Sequence, residues 1–423
     1  MLKIIGPGLI FASSSIGTSH LVLSTRAGAH HGLIFLFVIV GIMLLKYPFY
    51  EFGPRYANAT GYSLVKGYKD QGKWILWLFM GVILLDMFAV TGAVAAVSAG
   101  LLATMFGVQW LSVPLLAGCI IALTVGVLLL GGYKGLDFTI KVISVLLLVF
   151  VSIAFVSVLA NGPVESEPDF VAPPLLEGAG LTLLISLMGW MPSGVEASTL
   201  NSIWNVENEK ATGYKPSLKE ALFDFNLGYM LTLILAVMFL VIGAFTVYGS
   251  GELLEGSTTD FSNKLLNIFT ANIGEWAYYI FAIAAFVTIY GTLITVIDAF
   301  PRAIIRGIRV LRYEDLQENE EQISFLNRSY KLFVLLAGLG GFCLFYFSTA
   351  SMIALLEAVT VIAFMISPFI AWLNLRAIQS DAIPISHKPS WGLLVMAYVG
   401  LIGITAFAGY YLISLMMGGG IGH

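Results

Sequence analysis

The chain contains 423 residues, of which 58% are hydrophobic and only 11% are charged, and its mean hydropathy is +0.91. A water-soluble domain carries about 25% charged residues, so this composition excludes a soluble enzyme, a nucleic-acid-binding protein and a disordered protein. The net charge of −4 does not distinguish the classes that remain. The long, continuous apolar runs exclude a β-barrel and predict an all-α polytopic membrane protein.

The apolar runs predict eleven transmembrane helices, because each run holds about the 20 residues that a span requires. The polar segments 55–73, 204–220 and 302–330 are predicted connections between spans, and 252–272 is a predicted short surface helix. No composition shift marks a domain boundary. The predicted spans are 9–31, 32–52, 74–105, 111–131, 138–160, 179–203, 222–248, 275–300, 331–349, 351–375 and 391–416.

Basic residues are distributed unevenly over the predicted connections. With the N-terminus inside, all but three of the 21 Lys and Arg residues fall in segments on that side. The three exceptions are Arg26 and Lys264, which fall outside, and Lys141, which lies within a span. Because cytoplasmic loops are enriched in Lys and Arg, we predict a cytoplasmic N-terminus and, with eleven spans, an external C-terminus.

The first span is unusually polar. More than half of residues 10–25 are Ser, Thr, Gly or His, with Gly17, Thr18, Ser19 and His20 consecutive at the centre. A backbone can leave helical geometry inside a membrane only where protein or a watery cavity satisfies its polar groups. The pattern therefore predicts a break in this helix beside a binding pocket.

The sixth span contains a second predicted break. Met191, Pro192, Ser193 and Gly194 follow one another within the apolar run, and Glu196 comes two residues later. Proline removes a hydrogen bond from the helix and glycine weakens it. Breaks in spans one and six are five helices apart, which matches an inverted pair of five-helix repeats with a substrate site where the broken helices meet.

Several motifs resemble the Nramp (natural-resistance-associated macrophage protein) family of metal transporters. That resemblance implies the LeuT-like fold: repeat one over about 6–160, repeat two over about 178–375 and one additional helix over about 391–416. It also implies a secondary transporter working by alternating access. The segments that carry the resemblance are Gly6–Leu9, Ala27–Ala29, Arg55–Gly61 as a turn after helix 2, Met191–Pro192, Thr288–Leu293 and Pro368–Phe369.

The chain departs from the family at the metal ligands. The family's first helix carries Asp-Pro-Gly-Asn, where this chain has Gly17–His20, and its sixth helix carries a His after Met-Pro, where this chain has Ser193. The family's two acids on helix 3 align with Thr91 and Val94. Of the ligands, only Met191 matches, so the sequence assigns no metal site, and a divalent ion would lack the family's anionic ligands.

The preferred hypothesis is therefore a small anion, such as bicarbonate, bound at the exposed N–H groups and positive dipole end of the second half-helix. The alternatives are a small neutral or zwitterionic solute, a partly hydrated divalent cation, Mg²⁺ or Mn²⁺, held by Glu196 and backbone carbonyls, and a membrane receptor without flux. The predicted substrate-binding residues are Gly17, Thr18, Ser19, His20, Met188, Met191, Ser193 and Gly194.

Coupling residues are predicted on two helices. Thr288, Thr292 and Thr295 recur at helical spacing in the eighth span and suit a Na⁺ site, unless their hydroxyls bond back to their own helix. Glu196 is the predicted gating or coupling acid. Asp86, Asp298 and Glu357 should face protein rather than lipid, and the sequence leaves open whether they pair structurally or take part in transport.

No ATP-binding Gly-x-x-x-x-Gly-Lys-Ser/Thr loop and no cluster with catalytic spacing is present in the sequence. We therefore expect neither a pump nor an enzyme. Apart from Na⁺ as a possible coupling ion, no cofactor is expected. The expected partners are a small inorganic ion and the lipid bilayer, without nucleic acid, and we expect a monomer in a bacterial inner membrane.

Overall fold

The computed structural model describes residues 6–108, 110–130, 148–251, 254, 257–271, 274–313, 320–348 and 351–417. Regular structure in these ranges is helical throughout. The first seven helices are α1 (Pro7–Ser15), α2 (Thr25–His31), α3 (Ile34–Thr60), α4 (Leu64–Gln71), α5 (Lys73–Phe106), α6 (Val113–Leu129) and α7 (Leu148–Asn161). The remaining eight are α8 (Gly178–Trp190), α9 (Ala197–Thr212), α10 (Leu218–Thr246), α11 (Thr258–Ala271), α12 (Tyr278–Arg312), α13 (Glu320–Phe347), α14 (Met352–Gln379) and α15 (Trp391–Met416).

Seven of the described helices are long and apolar enough to cross a membrane: α3, α5, α10, α12, α13, α14 and α15. Three shorter apolar helices, α6, α7 and α8, have 10–17 residues. Two rods are composite: α1 is followed after a short break by a π-helical turn at Ser19–Ser24 and by α2, and the short helix α8 is followed after a gap by α9. The chain is an all-helical integral membrane protein with multiple spans.

The two interrupted rods pack in matching ways. α10 lies along α1 and α2, whereas α3 lies along α9 and contacts α8. Glycines permit both approaches: a Cβ on Gly8 would collide with the Asp224 backbone of α10, and a Cβ on Gly53 of α3 would collide with the Ser198 carbonyl of α9. Each interrupted rod is therefore held against the long helix that follows the other rod.

Several helices extend beyond their predicted spans. The prediction ended the second span at residue 52 and placed a turn at Arg55–Gly61, but α3 continues to Thr60 and ends at Gly61, which has a left-handed φ of +74°. The segments 55–73, 204–220 and 302–330, predicted as connections, contain α4 and the ends of α9, α12 and α13. Hydropathy identifies only the part of a helix that lies in hydrocarbon, so it does not detect polar extensions of the same helices.

Other boundaries agree closely with the prediction. The span predicted at 391–416 coincides with α15, and the predicted surface helix at 252–272 contains α11. The span predicted at 138–160 is described only from residue 148, so its first half and Lys141 lie outside the described residues.

Candidate functional site

The first interrupted rod leaves helical geometry at two residues, Ile16 and Gly17. α1 ends at Ser15, and Ile16 adopts φ −76° and ψ 85°. Helical hydrogen bonding resumes where the Leu21 N–H donates to the Gly17 carbonyl at 3.0 Å. Gly17 is required by packing, because a Cβ at this position would meet the Thr292 side chain of α12. The break therefore packs closely against α12.

The second rod is interrupted over six residues. α8 ends at Trp190, and the next residue, Met191, is extended at φ −98° and ψ 116°. Hydrogen bonds of the following helix begin with the Ala197 N–H donating to the Gly194 carbonyl at 3.0 Å. The break exposes carbonyls at the end of α8 and N–H groups at the start of α9. Both sets of polar groups need partners within the protein.

A buried lysine satisfies the carbonyls at the end of α8. Lys46 on α3 is fully buried, and its Nζ lies 2.5 Å from the Met188 carbonyl oxygen and 2.8 Å from that of Gly189. The Met191 and Ser193 carbonyl oxygens lie 3.4 and 3.5 Å from the same nitrogen. Tyr50, one turn further along α3, donates its hydroxyl to the Ser193 carbonyl.

A carboxylate covers the start of α9. The Glu196 carboxylate folds back over Gly194, where it occupies the space that a Cβ would take, and it accepts a hydrogen bond from its own backbone N–H. Anionic groups are stabilised at helix N-termini. The positive end of this half-helix is therefore already occupied by the chain's own acid, which also interacts electrostatically with Lys46.

Between the two breaks lies a cavity of about 60 Å³, room for a few water molecules. Hydroxyls and one carboxylate, that of Glu196, form its polar wall. Two of the hydroxyls, Ser15 Oγ and Thr18 Oγ1, are buried and have no hydrogen-bond partner among the described residues. The lining consists of Ser14, Ser15, Thr18, Ser19, Val90, Val94, Trp190, Ser193, Glu196, Ala197, Leu200, Trp204, Thr292, Thr295, Val296, Ala299 and Phe300.

The structure brings together half of the residues predicted for the site. The residues that line the cavity are Thr18, Ser19, Ser193, Glu196, Thr292 and Thr295. The residues placed outside its lining are Gly17, His20, Met188, Met191, Gly194 and Thr288. Gly17, Met188, Met191 and Gly194 belong to the breaks and shape their backbones, as described above.

His20 faces α10 rather than the cavity. Its Nε2 lies 3.1 Å from the Thr232 carbonyl oxygen, and its Nδ1 lies 2.8 Å from the Ser19 hydroxyl. Both ring nitrogens therefore have protein partners. The threonines of α12 bond back to their own helix, with Thr288 donating to the Ala284 carbonyl at 2.8 Å and Thr295 to that of Gly291 at 2.9 Å.

The three remaining acids have different surroundings. Glu357 on α14 pairs with Arg26 on α2. Asp298 pairs with Arg302 at 2.7 Å and accepts a hydrogen bond from Tyr330. Asp86 on α5 is 2% exposed, its Oδ2 has no hydrogen-bond partner in the described ranges, and it interacts electrostatically with Glu196.

Sequence reasoning missed Lys46, which was counted among the basic residues that flank an inside segment. A signal was available, because a lysine within an apolar run ought to face the protein interior and serve a function. Val90 gave no such signal, since it is as apolar as its neighbours, and Val94 was named only as a position where the family carries an acid. Within the described residues, no group of three or more His, Cys, Asp or Glu is arranged to hold a metal ion.

Comparisons with known proteins agree with this architecture. The family described as natural resistance-associated macrophage protein-like, Nramp, matches residues 8–414. An uncharacterised protein of Pasteurella multocida is 34% identical over 95% of this chain and 90% of its own length. The divalent metal cation transporter MntH of Staphylococcus saprophyticus is 25% identical over 67% of this chain and 65% of its own length.

Solved structures share the fold. A crystal structure of the Eremococcus coleocola manganese transporter superposes with a TM-score of 0.67 at 15% identity, covering 98% of this chain and 86% of that one. MhsT in complex with L-phenylalanine gives a TM-score of 0.59 at 14% identity, covering 95% and 98% of the two chains.

Proposed function

This chain belongs to the Nramp family, and we propose that it moves a divalent metal cation across a bacterial plasma membrane by alternating access, binding the ion partly hydrated. As a member of that family it is a membrane transporter and not an enzyme. The proposal replaces the anion preferred from sequence with the divalent cation considered as its alternative.

The observation that carries the proposal is the Glu196 carboxylate in a cavity otherwise lined by hydroxyls and apolar groups. Hard divalent cations bind oxygen ligands, and Mg²⁺ in particular keeps several waters when few carboxylates are present. The hydroxyls of Thr18, Ser19 and Ser193 are placed to accept or donate hydrogen bonds to such waters. The similarity to a divalent metal cation transporter supports the same substrate class.

The anion hypothesis has less support. It required open N–H groups at the start of α9, and Glu196 covers that end. Bound there, an anion would meet a carboxylate within a site of low dielectric, where like charges repel strongly. Bicarbonate is therefore not the proposed substrate, and its uptake is one of the results that the experiment below distinguishes.

The finer topology is also part of the proposal. We infer five-plus-five inverted repeats, with α1–α2 and α8–α9 as corresponding broken helices and α15 as the additional one. The skewed distribution of Lys and Arg supports a cytoplasmic N-terminus. Na⁺ coupling through Thr288, Thr292 and Thr295 stays a prediction: all three hydroxyls bond back to their own helix, and Thr292 and Thr295 also line the cavity.

Purified protein in proteoliposomes tests the substrate. We expect Mn²⁺ uptake, followed by quenching of an enclosed metal-sensitive dye, that competes with Mg²⁺ and falls about tenfold or more in Glu196→Gln, because the variant loses the only carboxylate of the cavity wall. Glu209→Gln on the same helix α9, outside the cavity, is the matched control and should retain uptake. Labelled bicarbonate uptake without any Mn²⁺ uptake would overturn the proposal.

A further inference from the structure

The carbonyls at the end of α8 form a cage around a single nitrogen. Four carbonyl oxygens, from Met188, Gly189, Met191 and Ser193, lie 2.5–3.5 Å from Lys46 Nζ. All of these contacts are with acceptors. An ammonium has only donors to offer, so the charged lysine matches the cage and an uncharged amine would match it less well.

Such a cage resembles a cation site in its chemistry. Rings of backbone carbonyls replace the hydration shell of a monovalent cation in channel filters. Here the last carbonyls of a helix, which carry its negative dipole end, converge where the chain departs from helical geometry. The nitrogen that these carbonyls surround belongs to Lys46 of α3, which is more than 140 positions away in the sequence.

The opposite end of the break carries the opposite charge. Glu196 covers the start of α9, while Lys46 fills the end of α8, and the two side chains interact electrostatically. Each half-helix end is therefore neutralised by a side chain of the protein itself. In a membrane interior, a polar backbone group without a partner destabilises the fold, because no water is available to bind it.

We propose that the end of α8 is a monovalent-cation site that the chain fills with its own ammonium, that of Lys46. The ligand class is ammonium and small primary alkylammonium ions. Because the Lys46 ammonium occupies these four carbonyls, they are not available to a transported ion. A substrate in the neighbouring cavity therefore has Glu196, hydroxyls and its own water as ligands. This inference goes beyond the proposed substrate and does not depend on it.

Chemical rescue tests the site. Lys46→Ala removes the ammonium and its aliphatic chain, and it leaves a cavity of the same shape beside the four carbonyls. In detergent, with N-methylglucamine as the only cation, we expect its unfolding temperature to fall by roughly 5–10 °C because the carbonyls lose their partner. Ethylammonium or methylammonium should restore much of this loss in a saturable manner, as expected for a ligand that binds only the folded state.

Three controls separate hydrogen bonding to the four carbonyls from general effects of charge. Tetramethylammonium carries the same charge without N–H donors and should not rescue. Tyr50→Phe removes the neighbouring hydroxyl donor to Ser193 but keeps Lys46, so its unfolding temperature should not respond to any amine. The wild-type protein should likewise be insensitive.

Three results would overturn the inference: Lys46→Ala as stable as wild type, a loss that no primary amine reduces, or equal rescue by tetramethylammonium. If Lys46→Ala folds only poorly, the yield of monodisperse protein prepared with each amine becomes the readout, under the same expectations. Lys46→Gln, which keeps an N–H donor and fills the stem, should be less destabilised and unresponsive to amines. The rescue experiment contains no transport substrate, so failure of the metal-uptake assay would not change its interpretation. Failure of the rescue would likewise not change the interpretation of the uptake assay.

Discussion

At the scale of single residues, two side chains of opposite charge explain how the broken helix is stable. Lys46 donates hydrogen bonds to the carbonyls at the end of α8, and the Glu196 carboxylate lies over the start of α9. The sequence presented Gly194 and Ser193 as open N–H donors for an anion. It gave no indication that the acid two residues later would fold back over them, since that depends on the backbone path of the break.

Gly17 provides a prediction at this scale. A Cβ there would meet the Thr292 hydroxyl and lie 3.2 Å from the Thr292 Cβ, so Gly17→Ala should lower the unfolding free energy by about 1–3 kcal/mol through overpacking. It should also reduce Mn²⁺ uptake, because residues of both the break and α12 line the cavity. Thermal or denaturant unfolding of the purified variant measures the first effect.

Gly41→Ala is the matched control, because no atom lies within 4 Å of a Cβ on this glycine of α3. It should be neutral or slightly stabilising, since alanine favours the helix over glycine. Thr292→Ala should partly restore stability to Gly17→Ala. Equal stability of Gly17→Ala and the wild type would contradict the close approach between the break and α12.

At the scale of elements, one ion pair connects helices from the two halves of the chain. Arg26 on α2 and Glu357 on α14 have side chains 8% and 19% exposed. A double-mutant cycle with Arg26→Gln and Glu357→Gln should give a coupling energy of about 1–3 kcal/mol in unfolding. Additive effects of the two substitutions would show that the pair does not fasten α2 to α14.

The start of α10 offers a second prediction for an element. Ser217 accepts a hydrogen bond from the Glu220 N–H at 3.4 Å, and its own N–H donates to the Glu220 carboxylate at 2.7 Å, which together form a capping box. Ser217→Ala should cost about 1 kcal/mol of unfolding free energy. Lys215→Ala, an exposed change two residues earlier, is the control, and equal values for the two variants would argue against the cap.

At the scale of the whole molecule, the sequence predicted the helical architecture and the position of both breaks, because small residues and Pro192 interrupt otherwise apolar spans. It also predicted the cavity hydroxyls of Thr18, Ser19 and Ser193. It could not predict which faces would meet. His20 looked like a ligand but bonds to the Thr232 carbonyl of α10, and Lys46 looked like a flanking charge but reaches a helix end more than 140 residues away.

The same limit applies to long-range electrostatics. Asp86 and Glu196 are 110 positions apart in the sequence, yet they interact beside the cavity. α12 packs against both α5 and α9, and this tertiary contact brings the two elements together. Local patterns specify each helix, whereas the charge balance of the site arises from tertiary contacts.

The position of a bound ion tests the whole account most directly. Crystals of the wild-type protein soaked in Mn²⁺ should give an anomalous scattering peak in the hydroxyl-lined cavity beside Glu196, with the Lys46 ammonium still occupying the α8 carbonyls. A peak among those carbonyls and the Met191 sulfur, with Lys46 displaced, would contradict it, as would a site occupied by bicarbonate and indifferent to Mn²⁺.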